Sequence, residues 1–247
     1  MAYEPIVPRA RIGFIIPASN RMVEPQMHRF MPAGVVPHVT RLDMHDVPLA
    51  TLAPKLLEAA ALLAKSKCDV TVFQCTGSSM SGGIEMEKRV VHDMSALTDR
   101  PALSAASSVT AALRALGARR LVFISETRQE GHDKKAAFLR EAGYELLVSK
   151  AAGLPGTDAF CTTPPQFWYD LAIAQRRDDA DAIFISCANI HSVDVIDALE
   201  RELKKPVVTS NQAALWHALR TIGIDDAVPG LGKLLTIKGT ARHAAAE

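Results

Sequence analysis

Apolar positions in this chain gather into short β-branched runs, each followed by a longer stretch in which apolar residues recur at helical spacing. The runs are Ile12 to Ile16, Val35 to Arg41, Val70 to Gln74 and Ala102 to Ser104, then Leu121 to Ser125, Glu145 to Val148, Ala182 to Ser186 and Val207 to Thr209. Between them, Pro54 to Lys65 carries a stripe of Leu56, Leu57, Leu62 and Leu63, and Lys134 to Ala142 stops at Gly143, a glycine placed to close a helix. Strand alternating with helix predicts an α/β fold with parallel strands.

The eight runs divide into two similar sets of four. Asp69-Val-Thr-Val-Phe-Gln-Cys75 matches Asp181-Ala-Ile-Phe-Ile-Ser-Cys187, 112 positions further on. Pro101-Ala-Leu-Ser followed by Ala112-Leu113-Arg114 and Gly117 matches Pro206-Val-Val-Thr followed by Ala218-Leu219-Arg220 and Gly223. The expectation is two four-stranded parallel halves about a pseudo-twofold axis: residues 1–104 with 211–247 as one, and 105–210 as the other. Ligands in such sheets bind beyond the carboxyl ends of the strands. Cys75 and Cys187 sit at matching ends, so they are expected to face one ligand from opposite sides.

Composition narrows the function. Lys plus Arg number 28 against 27 for Asp plus Glu, and no basic cluster is interleaved with aromatics, which argues against nucleic acid as a partner. The stretch from Met1 to Arg11 holds no apolar run of signal-peptide length, and no long uncharged apolar segment follows; a cytoplasmic protein without a membrane partner is expected. The four cysteines form no C-x-x-C pair or Cys/His cluster at metal-ligand spacing, so no metal site is predicted. Gly82-Gly83 is a bare pair, and Gly230-Leu231-Gly232 follows no strand, so no nucleotide cofactor is predicted either.

Cys68 and Cys161 read as small packing residues. The matched pair differs, because each is followed by a small, polar loop: Thr76-Gly77-Ser78-Ser79 after Cys75, and Ala188-Asn189-Ile190-His191-Ser192 after Cys187. Such loops present backbone N–H groups to a carboxylate, and a helix start lowers a thiol pKa; helix capping is the bland alternative. Pro17-Ala18-Ser19-Asn20 and Thr209-Ser210-Asn211-Gln212 follow two further strands and are expected to turn more amides and hydroxyls into the same cleft. Glu130, His132, Asp133 and His191 are weaker candidates as acids or bases. Met80, Phe160 and Trp168 are expected to set the cleft's volume.

Pro17-Ala-Ser-Asn20, Cys75-Thr-Gly-Ser-Ser, Ser186-Cys187-Ala-Asn, Pro206-Val-Val-Thr-Ser-Asn-Gln212 and Gly230-Leu-Gly-Lys-Leu-Leu235 occur in an order that resembles the maleate cis-trans isomerases of the aspartate/glutamate racemase superfamily, near relatives of the arylmalonate decarboxylases. The resemblance covers about Arg11 to Leu235. It implies a cofactor-independent isomerase of a small dicarboxylate, with Cys75 as the thiolate nucleophile and Cys187 as the proton donor and acceptor. It also implies substrate contacts from Asn20, Thr76, Gly77, Ala188 and Asn189. A homo-oligomer, dimer or tetramer, is expected. The alternatives are a two-cysteine racemase or decarboxylase, or a non-catalytic protein that binds a small acid. Decarboxylases of this kind hold glycine at the position of Cys75. The family's tyrosine after the fifth strand aligns with Thr127, and its asparagine contact has no counterpart near Pro155 to Asp158. Arg128 is expected to bind a second carboxylate instead.

Overall fold

A computed structural model describes residues 7–44 and 47–239; the ends of the expected first half, 1–6 and 240–247, lie outside the described residues. The strands are β1 (Ala10–Pro17), β2 (Val35–Leu42), β3 (Val70–Phe73), β4 (Ala102–Ser104), β5 (Arg120–Ser125), β6 (Glu145–Ala151), β7 (Ala182–Ser186) and β8 (Val207–Thr209). The helices are α1 (Val23–Phe30), α2 (Leu49–Lys65), α3 (Thr76–Met80), α4 (Gly83–Thr98), α5 (Ala105–Ala115), α6 (Gln129–Glu141), α7 (Thr157–Thr162), α8 (Pro165–Ala174), α9 (Ile196–Leu203) and α10 (Ser210–Thr221). The strands form two sheets, ordered β2-β1-β3-β4 and β6-β5-β7-β8, and all pairs are parallel. The two-half α/β architecture is therefore present, with the same strand order in each half.

Burial differs along each sheet. Every residue of β3, β4, β7 and β8 is buried, whereas β2 and β6, at the opposite edges, are mostly half-buried. A strand covered on both faces must be apolar on both, which is why these segments read as continuous runs. In β1 the pleat sorts the side chains: Ile12, Phe14 and Ile16 enter a core shared with the second sheet, while Ile15 joins Leu52, Leu56 and Met94 under α2 and α4.

Two helices begin earlier than expected. The proline at position 54 lies inside α2 rather than opening it, so the helix gains Leu49 and Leu52 as buried contacts. The proline removes only the bond to the carbonyl of Ala50, which faces solvent. The polar stretch from Gln129 to Asp133 forms the first turns of α6, because His132 stacks on Phe123 with ring centroids 4.7 Å apart. Gly131 is required there: a Cβ would meet Thr127 Oγ1 at 2.8 Å. Gly143 closes the helix at φ +89, as expected.

α5 and α10 each begin one residue after the last strand of their half. Each carries a capping box, Ser104 with Ser107 and Thr209 with Gln212. The two helices pack against each other, and the carboxyl ends of both sheets open into the space beside them.

Candidate active site

A cleft of about 790 Å³ opens at those strand ends. Cys75, Thr76, Gly77, Cys187, Ala188, Asn189, Asn20 and Thr127 all line it, so both cysteines and their neighbouring loops meet in one place. At its mouth Arg21 pairs with Asp158, the residue after Thr157, which itself lines the cleft. Phe160 is also in the lining, but Met80 and Trp168 are not: both are buried in the core, contrary to the expectation that they set the volume. Among the described residues no group of three or more His, Cys, Asp or Glu is placed to hold a metal ion. No helix there is long and apolar enough to cross a membrane.

Cys75 leaves β3 in extended conformation, φ −140 and ψ 103, and is the residue before α3. Its Sγ lies 3.1 Å from Ser78 Oγ. The expectation that a helix start would lower its pKa is corrected by the structure. Burial pushes the thiol up, and the Ser78 hydroxyl and N–H together with the Lys135 charge only oppose that rise. α3 is a single turn, too short to outweigh desolvation.

Cys187 has φ +122, a conformation that L residues rarely adopt. Its N–H donates to Ser210 Oγ at 3.0 Å, and the N–H of Asn189 donates to its Sγ at 3.3 Å. Three consecutive residues are thus bent around the sulfur, and the strain of about 1–3 kcal/mol is held by those bonds. Its thiol is raised further than that of Cys75, first by burial and then by the Glu126 carboxylate.

The amides cross the cleft. Asn20 accepts from the N–H groups of Met22 and Val23 at the start of α1 and donates to the carbonyl of Ala188 at 3.0 Å. Asn189 returns the link, its Oδ1 accepting from the N–H of Arg21 at 2.8 Å. Capping and cleft lining therefore coexist in Asn20. The run from Thr209 to Gln212 does not enter the cleft as expected; all four residues are buried behind it. Ser210 Oγ accepts from Thr76 Oγ1 at 2.8 Å as well as from Cys187, so one hydroxyl holds both cysteine loops. Asn211 donates to Gln26 and to the Ala188 carbonyl, and Gln74 donates to Asn211.

Two residues were not anticipated. Lys135 Nζ donates to both carboxylate oxygens of Glu126 at 2.6 Å, both residues are buried, and both line the cleft. Arg128, expected to take a carboxylate, is instead exposed at the start of α6 and lies outside the lining. Glu126 and Thr127 both line the cleft, and the chain turns into α6 at Arg128, which leaves that side chain exposed. A usable signal was present: Glu126 follows β5 directly, as Cys187 follows the adjacent β7. Of the weaker candidates, His132 sits between Ser125 and Ser149, its pKa lowered by burial, and His191 bonds the carbonyl of Cys161.

Comparison with known proteins places this arrangement. The family model described as arylmalonate decarboxylase matches residues 5–235. A maleate isomerase of Nocardia farcinica is 30% identical over 91% of this chain and 95% of its own length. An arylmalonate decarboxylase of Bordetella bronchiseptica is 27% identical over 93% and 94%. Among solved structures, a cysteine-to-serine variant of the Nocardia farcinica maleate cis-trans isomerase with a covalently bound succinylcysteine intermediate superposes with a TM-score of 0.85. It is 25% identical over 92% of this chain and 98% of that one.

Proposed function

From the premise that this chain belongs to the arylmalonate decarboxylase family, we propose that it is a cofactor-independent cis-trans isomerase of a small dicarboxylate of the maleate type. The observation that carries this reading is the cysteine at both matched strand ends of one cleft, where a thiol can reach each side of a small carbon skeleton.

The chemistry is complete with two thiols. Cys75 Sγ, as thiolate, adds to C2 of the alkene, and the π electron pair moves to C3, which takes the proton from Cys187. The result is a succinyl thioether on Cys75 with Cys187 left as thiolate. The former double bond is now single and turns. Cys187 takes a proton back from C3, the C2–S bond breaks with its electron pair returning to Cys75, and the trans alkene leaves. A succinylcysteine, which the Nocardia farcinica variant carries, is the adduct this path requires.

Charge that develops on a carboxylate during addition needs donors already in place. The first N–H groups of α3, at Thr76 and Gly77, have no partner within the helix. Asn20 and Asn189 each keep an amide hydrogen beyond the bonds described above, and Ala188 and Thr127 complete the lining. We assign substrate contacts to these residues. The domain division at residues 104/105 and 210/211, a cytoplasmic location and a homo-oligomer of two or four copies belong to the same reading.

The test is proton NMR of the purified protein with maleate. Fumarate should appear, Cys75→Ser should abolish it, and Cys187→Ser should gain the mass of one maleic acid. No fumarate at any of several pH values would sink the reading. The second reading, a two-cysteine racemase or decarboxylase, is favoured by the family model's own description. Its mark would be deuterium uptake next to a carboxylate without isomerisation.

A further inference from the structure

The duplicated fold is symmetric in backbone but not in charge. In the second half Ile124 pairs with Ile185 and Ser125 with Ser186, so the next residues to leave the sheet side by side are Glu126 and Cys187. In the first half the equivalent pair is Ile15 with Phe73, and the same two steps along each strand lead to Pro17 beside Cys75. One thiol thus has a carboxylate for a neighbour and the other an uncharged ring.

The carboxylate is not alone. Lys135 Nζ grips both its oxygens at 2.6 Å, and the Lys135 side chain runs toward the other cysteine: its Cε lies 3.8 Å from the point a Cβ on Gly77 would occupy, two residues after Cys75. Lys135 is 3% and Glu126 6% exposed, so water screens neither charge appreciably. The pair spans the cleft floor with its negative end at Cys187 and its positive end toward the loop of Cys75. A buried ion pair is weak evidence of stability, since apolar residues of like volume usually serve the fold as well. Its orientation between two thiols calls for another account.

We propose that the Glu126–Lys135 pair makes the two thiols unequal, Glu126 keeping the proton on Cys187 and Lys135 favouring the thiolate on Cys75, so that acid and nucleophile are assigned before substrate arrives. This rests on the two-thiol reading above. Glu126 and Lys135 are positioning residues that act through the cysteines. Burial lifts both thiols; beyond that, at Cys75 the charge of Lys135 outweighs that of Glu126, while at Cys187 the order of the two charges reverses. The other charged groups facing the cleft are Asp43 after β2 and the Glu130–Lys134 pair on α6, with Arg21 and Asp158 paired at the mouth. His132, on the same helix, is held by Ser125 and Ser149.

The experiment is pH-dependent alkylation of the intact protein by iodoacetamide, with peptide mass spectrometry reporting Cys75 and Cys187 separately. In the wild type Cys75 should be labelled at lower pH than Cys187. Lys135→Met should shift labelling of Cys75 about one pH unit upward, a tenfold loss of thiolate at fixed pH, and Glu126→Gln should shift Cys187 downward by a similar amount. The double variant Glu126→Gln with Lys135→Gln, which keeps hydrogen-bonding groups without charge, should bring the two profiles together. Coincident profiles in the wild type, a measurement that needs no variant to fold, would overturn the proposal. So would unchanged profiles in Lys135→Met with only KM for maleate raised, which would make Lys135 a carboxylate anchor. Correct labelling order in a protein that makes no fumarate would leave this assignment standing while the isomerase reading fell.

Discussion

Asn20 and Ala188 are joined across the cleft by a single hydrogen bond of 3.0 Å between residues 168 positions apart. The same side chain receives the first N–H groups of α1, so capping one half and tying down the cysteine loop of the other are one task. The two roles separate by substitution. Asn20→Asp keeps the acceptor for the cap but sets an oxygen against the Ala188 carbonyl, whereas Asn20→Ala loses both. Turnover should fall in both, by about tenfold to a hundredfold for a misplaced loop. In addition, Asn20→Ala should lose the cap, about 1 kcal/mol. Steady-state kinetics with urea unfolding checks this; full activity in Asn20→Asp would remove the cross-cleft bond from the mechanism.

The two thiols set a pH profile whose sign follows from their shifts. Addition needs Cys75 ionised, and burial holds its pKa above the ordinary value. Proton delivery needs Cys187 protonated, and its pKa stands higher still. The rate should therefore climb by up to about tenfold per unit from about pH 7 to about pH 9, and turn down only where Cys187 begins to ionise. Initial rates of fumarate formation in a constant-ionic-strength buffer series measure it, and a profile that falls over that interval would contradict the assignment of Cys75 as nucleophile.

The backbone of Cys187 predicts an inverted preference. Glycine outside turns normally costs about 0.5–1 kcal/mol relative to alanine. At φ +122 the order should reverse, with Cys187→Gly more stable than Cys187→Ala by about 1 kcal/mol. Neither variant should turn over substrate. Thermal unfolding of the two side by side decides it; alanine proving the more stable would mean that the strain is absent.

Acid should weaken the fold through His217, which burial between α5 and α10 lowers to about 4. Its folded state favours the neutral ring, so the stabilisation is present above the unfolded value of 6.5 and is lost as pH falls from there toward 4. Between pH 7 and pH 5 the wild type should lose about 1 to 2 kcal/mol more than His217→Gln, which keeps a group able to bond Ser108. Denaturant unfolding at the two pH values gives the difference directly, and equal losses would place the acid sensitivity elsewhere.

What the sequence made legible followed from burial and duplication. β4, β7 and β8 begin and end where their apolar runs do, because strands buried on both faces leave no ambiguity of period. The starts of α2 and α6 were hidden, the first by Pro54 inside the helix and the second by polar residues that only tertiary contacts make helical, His132 on Phe123 above all. The cysteine pair and its loops were visible because each half states them once. Glu126 and Lys135, nine positions apart and brought together by the turn into α6, have no counterpart in the other half to announce them. The run from Thr209 to Gln212 is legible as a polar turn after β8, but its place behind the cysteine loops is not, since the residue that follows a strand does not fix which way its side chain turns.

Ser210 bears on how this site can change over time. One hydroxyl receives both the Thr76 side chain and the Cys187 backbone, so the loops that carry the two thiols rest on a common support. A mutation that displaces either loop strains its bond to Ser210 and is transmitted to the other. The spacing of the thiols is therefore set as one trait, while the surrounding lining, Thr127 included, is left free to diverge toward new acids.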